Sequence, residues 1–245
     1  VLLRPGLRFV RFNFEDPLTV RAALAGTDKL FLLRPPQLSD VRKYIEPVVL
    51  AAKAAGVKHV VFLSLQGVEH NKVTPHYKIE QIIQREGLPY TFLRPSFFMQ
   101  NLSTTHRAEI AERGEIFIPA GRGKTNFVDV RDVGQVAARV LANDAHLNKA
   151  YELTGATAYD YYEVADLLSR TLGRPIRYAN PSILHFCWRK WREGVPASFI
   201  LVMTALYTVA RLGKAAGYAP DLQTLLDRAP TTLAQFAEDY KDNWA

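Results

Sequence analysis

This sequence of 245 residues has little of what a disulfide-bonded, membrane-spanning or secreted protein needs. It contains a single cysteine, Cys187, so no internal disulfide can form and a reducing compartment, the cytoplasm, is expected. No charged and then apolar leader opens the chain, so no secretory signal is expected. The longest apolar run lies within residues 198–212, where Thr204, Tyr207 and Arg211 interrupt it, and it is too short to span a bilayer.

Several motifs that would identify a chemistry directly are also absent. The histidines are dispersed and show no metal-ligand spacing, so no metal site is predicted. No G-x-S-x-G elbow and no Walker loop occur, which disfavours an α/β-hydrolase and a P-loop protein. Neither G-x-G-x-x-G nor G-x-x-G-x-x-G occurs, so the glycine turn of dinucleotide-binding proteins is missing as well.

The charge distribution favours a small anionic ligand or a mildly basic surface over nucleic acid. The net charge is +7, but the basic residues are scattered, with Asp or Glu between them, rather than gathered in a stripe. Hydrophobic residues make up 48% and charged residues 22% of the chain, which is typical of a folded protein.

Short apolar runs alternate with amphipathic stretches along most of the chain. This rhythm predicts a Rossmann-like, doubly wound α/β fold with a mostly parallel sheet, followed by a small helical lobe beyond Pro181. We expect an α/β core over residues 1–150 and a smaller region packed on it over residues 151–245. The predicted strands are residues 7–13, 29–33, 59–63, 90–93, 126–130, 151–154 and 176–178. The predicted helices include residues 17–25, 39–55, 74–86 and one capped by Asp160 with Glu163.

Ligands of open parallel sheets bind beyond the carboxyl ends of the strands. Three such ends carry polar or rigid residues, and together they favour a pocket with apolar walls, although any one of them could simply form a turn. These ends are residues 33–36 after the first strand, residues 64–67 after the second and residues 94–101 after the third.

The helix predicted over residues 74–86 carries His76 near its start. Ile79 and Ile83 share its face, so a structural role for this histidine is an alternative to a catalytic one. Lys78 and Glu80 are interpreted as a solvated helix face.

The sequence TPHYKIE at residues 74–80, followed by GLPYTFLRPSFFMQN at residues 87–101, resembles the NmrA-like group of atypical short-chain dehydrogenases. That group includes triphenylmethane reductases, NADPH-dependent quinone oxidoreductases and, more distantly, isoflavone reductases. Residues 51–65 and 126–137 are also similar to it, and the resemblance runs over essentially the whole chain.

The resemblance implies an NADP(H) cofactor, with NAD(H) as the alternative, and a role for each strand end. It also implies that residues 1–150 form the NAD(P)-binding core and that residues 151–245 form the substrate or lid region. Leu33, Arg34 and Pro35 would line its adenine and ribose side, and Ser64, Leu65 and Gln66 would approach the nicotinamide ribose. Pro95, Ser96, Phe97 and Phe98 would lie at the nicotinamide ring.

Catalysis would involve His76, which stands eleven residues before Gly87, at the position of the active-site lysine in isoflavone reductases. Tyr77 is followed four residues later by Gln81, so the Tyr-x-x-x-Lys dyad of ordinary short-chain dehydrogenases is missing. His76 would instead supply a proton near neutral pH.

The chain departs from the family pattern at its start. Family members open with a strand, a G-x-x-G-x-x-G turn and a helix, whereas residues 1–6 resemble the end of the second strand. We therefore expect the first strand, the glycine loop and the first helix to be absent because the sequence is a fragment, with a natural truncation as the alternative. Arg4 stands where a 2′-phosphate contact would fall, which favours NADP(H), although a surface arginine is the simpler alternative.

The function predicted is an NAD(P)H-dependent oxidoreductase that transfers hydride to a small quinone-like or conjugated apolar substrate. An aromatic loop at residues 97–99 and a lid with Trp188, Trp191 and Tyr207 would receive that substrate. One alternative is a non-catalytic, NADP(H)-sensing protein with a regulatory protein partner, and another is a scaffold that binds no nucleotide. No nucleic-acid partner and no membrane span are predicted, and the oligomeric state is left open.

Overall fold

The structure is a computed structural model and describes residues 6–245, so Arg4 lies outside the described residues. The chain forms two compact units. The first ends at Arg94 and also contains Ala137–Tyr151, and the second consists of Pro95–Val136 and Glu152–Ala245. The predicted division of the chain at residue 150 separates a cofactor-binding region from a substrate region. That division stays a prediction.

Helices and strands alternate along most of the chain. The helices are α1 (Pro17–Leu24), α2 (Val41–Tyr44), α3 (Glu46–Ala54), α4 (Pro75–Arg85), α5 (Gln100–Ser103), α6 (Arg107–Arg113), α7 (Val130–Ala142), α8 (Tyr161–Leu172), α9 (Ile183–Arg192), α10 (Ala197–Arg211), α11 (Asp221–Leu226) and α12 (Leu233–Asp239). The strands are β1 (Lys29–Leu32), β2 (His59–Leu63), β3 (Tyr90–Pro95), β4 (Phe97–Phe98), β5 (Glu115–Ile116), β6 (Thr125–Val128), β7 (Lys149–Leu153), β8 (Ala158–Tyr159) and β9 (Arg177–Tyr178).

The first unit is built on a four-stranded sheet in the order β1-β2-β3-β7. β1, β2 and β3 run parallel, with Leu32 opposite Phe62 and Phe62 opposite Phe92. Their apolar side chains and those of α1, α3 and α4 form one buried core, which includes Val20, Val48, Phe62, Ile79 and Ile83. The prediction of a mostly parallel sheet alternating with helices is confirmed.

Two predicted elements of this unit are wrong. Residues 7–13 form no strand, because no described backbone pairs with them; Leu7, Phe9 and Val10 are exposed. The helix predicted over residues 39–55 is broken into α2 and α3 at Ile45, because Pro47 has no backbone N–H to continue the first helix. Asp40 caps α2, where its side chain accepts a hydrogen bond from the Lys43 backbone N–H.

The second unit contains short strand pairs and the helices from α8 onward. β4 pairs with β6 in parallel, β6 with β8 antiparallel, and β5 with β9 in parallel. The predicted capping box is confirmed, since Asp160 and Glu163 bond to each other's backbone N–H at the start of α8. Tyr161, Phe186, Tyr207 and Trp244 are among the large side chains of its buried core. No helix among the described residues is long and apolar enough to cross a membrane.

Candidate functional site

The carboxyl ends of β1 and β2 lie side by side because the two strands are parallel and paired up to Leu32 and Phe62. The structure therefore brings together six of the predicted cofactor-binding residues at one edge of the first unit's sheet. They are Leu33, Arg34 and Pro35 after β1, and Ser64, Leu65 and Gln66 after β2. Ser64 is buried, Leu33 is exposed and the other four are half-buried.

Arg34 is held at this edge by backbone carbonyl groups rather than by a carboxylate. Its Nη1 atom donates to the oxygens of Pro35, Pro36 and Leu38 at 2.9, 3.1 and 3.1 Å. Its buried Nε atom has no hydrogen-bond partner within residues 6–245. Burial lowers the pKa of Arg34, yet the guanidinium of arginine stays protonated at neutral pH. The result is a partly buried positive charge with a free donor.

Ser64 is a second buried polar group without a complete set of partners. Its backbone N–H donates to the Leu93 oxygen at 2.8 Å, which continues the pairing of β2 with β3. Its side chain is only slightly exposed, and among the described residues Oγ has no hydrogen-bond partner. A buried hydroxyl without a protein partner is uncommon, and either a ligand or an ordered water molecule supplies the missing atom.

His76 lies one residue inside α4, whose start is set by the Thr74 cap and Pro75. Its ring stacks on that of Phe62, with centroids 6.0 Å apart and planes inclined by 29°. Burial, and then the positive charge of Arg34, lower the pKa of His76 to about 4. The imidazole is therefore neutral at pH 7. It can offer an N–H group, and its assignment as a catalytic proton source stays a prediction.

An ion pair that sequence reasoning missed fixes α4 to the end of β3. The Arg94 guanidinium donates through Nε and Nη2 to the two carboxylate oxygens of Glu80, at 3.1 and 2.8 Å, and through Nη1 to Glu69 at 3.1 Å. The interpretation of Glu80 as part of a solvated face is wrong, since its side chain is only 4% exposed, whereas Lys78 is exposed as expected. The signal in the sequence was the position of Glu80 beside Ile79 on the buried face of α4.

The other four predicted cofactor residues within residues 6–245 belong to the second unit. Phe97 and Phe98 form β4 and are half-buried, and Pro95 is buried. The buried Ser96 hydroxyl donates to Asn126 Oδ1 at 3.3 Å, so its hydrogen-bonding capacity is partly used. Nothing in this geometry singles out a ligand.

The predicted lid residues fall into two groups in the second unit. Trp188 and Trp191 of α9 are exposed. Tyr207 of α10 is buried in the core, where its hydroxyl lies 2.6 Å from His106 Nε2, so its prediction as a substrate-lining residue is wrong. Its helix turns this side chain inward with Met203 and Ala210.

The Rossmann-like fold and the polar groups at the strand ends define a dinucleotide-binding class of α/β protein. The chain belongs to the NmrA-like family, whose model matches residues 1–236. It is 34% identical over 237 residues to an NAD(P)H azoreductase from Xenophilus azovorans, covering 95% of this chain and 82% of that protein.

Solved structures of reductases have the same fold. An NADPH-dependent quinone oxidoreductase from Escherichia coli, complexed with NADPH, has a TM-score of 0.87 and 26% identity, covering 96% of this chain and 83% of that one. A triphenylmethane reductase from Citrobacter sp., complexed with NADP(H), has a TM-score of 0.84 and 27% identity, covering 94% of this chain and 82% of that one.

Proposed function

We propose that this chain is an NAD(P)H-dependent oxidoreductase that reduces a quinone-like or conjugated apolar substrate by hydride transfer, with NADP(H) as the preferred cofactor. Three reductases among its relatives support the proposal: the azoreductase, the quinone oxidoreductase and the triphenylmethane reductase. A cytoplasmic location is part of the proposal and is tested by fractionation.

The observation that carries the proposal is the pair of incomplete polar groups at the adjacent ends of β1 and β2. Arg34 has a buried donor and, among the described residues, no carboxylate partner, and Ser64 has a buried hydroxyl without a partner. A dinucleotide carries phosphate oxygens that accept from a guanidinium and ribose hydroxyls that bond to a serine. These two groups fit such a ligand, and the surrounding Leu33, Pro35 and Leu65 provide apolar contact.

When bound, the reduced nicotinamide supplies the hydride, and the protein supplies position and polarity. We assign the neutral His76 as an N–H donor to substrate or cofactor, held in place by Phe62 and by the cap of α4. Pro95, Ser96, Phe97 and Phe98 are proposed to contact the nicotinamide on the strength of the family resemblance alone.

The decisive experiment pairs a binding measurement with a turnover measurement on the same preparation. NADPH at 100 times its Kd should stabilise the protein by about 2.7 kcal/mol, seen as a higher melting temperature. Oxidation of NADPH should then depend on an added quinone, azo dye or triphenylmethane dye. Absence of thermal stabilisation at saturating NADPH would remove the proposal, since it would leave Arg34 and Ser64 without the ligand assigned to them.

A second function, an NADP(H)-sensing protein without catalysis, is favoured by one specific observation. Gln81 stands four residues after Tyr77, and the pKa of His76 is about 4, so neither a Tyr–Lys pair nor an imidazolium is available as an acid at neutral pH. This function predicts NADPH binding without turnover of any dye or quinone. It also predicts a protein partner whose capture differs with and without NADP(H).

A further inference from the structure

The helix α10 presents apolar side chains to water as well as to the core. A helix on a protein surface normally presents polar side chains to water. Between Phe199 and Val209, however, every exposed side chain of α10 is apolar, and Leu201 is 71% exposed. The side chains on this face are Phe199, Leu201, Val202, Ala205, Leu206 and Val209.

The neighbouring helix α9 adds aromatic side chains to the same unit. Trp188 and Trp191 are 53% and 69% exposed, and Leu184 is 83% exposed. α9 and α10 contact each other through Cys187 and Thr204, whose Sγ and Oγ1 atoms are 3.4 Å apart. We call the exposed apolar side chains of these two helices the α9–α10 face.

Basic side chains outnumber acidic ones around the α9–α10 face, where Glu109 and Glu115 of neighbouring elements pair with Lys190 and Arg189. Residues 181–218 contain five Lys or Arg side chains and a single carboxylate, Glu193. That carboxylate is already engaged by Arg113, Arg189 and Lys190. The Arg192 guanidinium lies over the Trp188 ring, 5.1 Å from its centroid, and neither Arg192 nor Lys214 has a carboxylate partner among the described residues. The free charge beside the apolar face is therefore positive.

Apolar side chains, exposed tryptophans and unpaired cations together are typical of helices that lie in the interfacial region of an anionic membrane. Tryptophan suits this region because its ring is apolar and its N–H is polar. A second copy of the chain would bring the same unpaired cations toward one another, so the charge disfavours self-association through this face. With 15 residues, α10 is also too short to span a bilayer.

We propose that the α9–α10 face binds the surface of an anionic phospholipid bilayer. The apolar side chains enter the boundary between headgroups and acyl chains, and Arg192 and Lys214 contact the anionic headgroups. This inference goes beyond the proposed reductase function and does not depend on it.

The test uses the full chain and vesicles of phosphatidylcholine with roughly a quarter of phosphatidylglycerol. Co-sedimentation is expected with these vesicles, and it should weaken at least severalfold with phosphatidylcholine alone or at about 0.5 M salt. Tryptophan emission should shift to the blue on binding. The shift reports Trp188 and Trp191, because Trp244 is fully buried already.

Two variants locate the contact. Leu201→Gln with Leu206→Gln should lower the vesicle partition coefficient roughly tenfold, because apolar area no longer leaves water. The matched control is Leu18→Gln on α1, a leucine that is 70% exposed, and it should leave partitioning unchanged. Arg192→Glu should reduce the preference for anionic vesicles about fivefold. Circular dichroism and the melting temperature verify that each variant is folded.

Two results would overturn the proposal. One is no binding of the unmodified chain to anionic vesicles, or an equal loss in the Leu18→Gln control. The other is a dimer in sedimentation velocity that Leu201→Gln dissociates while vesicles capture nothing, which would make the face a contact between copies. NADPH binding is measured without lipid. A result that overturns the membrane proposal therefore does not affect the proposed reductase function.

Discussion

Arg94 and Glu80 form two parallel hydrogen bonds, 3.1 and 2.8 Å long, that fix the end of β3 to the helix carrying His76. The Glu80 side chain is 4% exposed and the Arg94 side chain 18% exposed. A paired carboxylate and guanidinium of this kind contribute mainly because removing one partner leaves the other, partly buried, with fewer hydrogen bonds.

Glu80→Gln should therefore lower the free energy of unfolding by about 2 kcal/mol, as measured by urea denaturation. Glu69→Gln is the matched control, since Glu69 bonds to the same guanidinium from a side chain that is 41% exposed. Its effect should be less than about 1 kcal/mol. Equal losses in the two variants would mean that the burial of Glu80 has no energetic consequence.

His76 should act as a neutral residue in any reaction at ordinary pH. Burial and Arg34 hold its pKa at about 4, so the ring carries no charge between about pH 6 and about pH 8. Turnover that depends on His76 should therefore stay flat over that interval. His76→Ala should lower kcat roughly 100-fold while the affinity for NADPH stays within a few-fold.

The measurement is steady-state NADPH oxidation at several pH values for both forms. A rate that falls tenfold for each unit of rising pH would mean that an imidazolium donates the proton. An unchanged kcat in His76→Ala would return this residue to the structural role that remains open from the sequence.

The strands of the first unit's sheet were predictable because their apolar runs are continuous and bounded by breakers. Residues 29–33 and 59–63 correspond to β1 and β2 within one residue. Residues 7–13 also contain four apolar side chains, yet a strand also needs a neighbouring backbone, which composition does not reveal. Local pattern therefore predicts a tendency, and pairing decides whether a strand forms.

Only the positions of the candidate site residues at the strand ends could be predicted from the sequence. The positions of Arg34 and Ser64 follow from the sheet, whereas their missing partners depend on three-dimensional packing. The burial of Glu80 depends on Arg94, fourteen residues away, and the low pKa of His76 depends on desolvation. Neither distance nor desolvation can be read from spacing along the chain.

Ser64→Ala should separate binding from stability. Because among the described residues Oγ has no partner, its removal should leave the free energy of unfolding unchanged or slightly higher. If the hydroxyl bonds to the cofactor, the Kd for NADPH should rise about fivefold to tenfold, as measured by calorimetry. A loss of stability with unchanged NADPH affinity would place Ser64 outside the binding site.

Arg4→Asp tests the prediction of NADP(H) over NAD(H), which rests on the family resemblance because Arg4 lies outside the described residues. Loss of a charge-assisted hydrogen bond to the 2′-phosphate should raise the Kd for NADPH at least about tenfold and the Kd for NADH much less. Arg11→Asp, at an exposed arginine seven residues on, is the control and should leave the ratio of the two Kd values unchanged. Equal weakening of both cofactors by Arg4→Asp would remove Arg4 from cofactor selection.

Gly155 should contribute strongly to the stability of the second unit. A Cβ atom at this position would lie 2.1 Å from the Phe127 carbonyl oxygen, and the Gly155 oxygen accepts from Asn126 Nδ2 at 2.9 Å, so the loop cannot retreat without losing that bond. Gly155→Ala should lower the free energy of unfolding by at least about 2 kcal/mol. The matched control is Gly134→Ala in α7, where a Cβ meets nothing within 4 Å; it should stabilise the helix by up to about 1 kcal/mol. The free energies of unfolding of both variants are measured by urea denaturation. An unchanged value for Gly155→Ala would show that β6 and this loop can move apart without loss of stability.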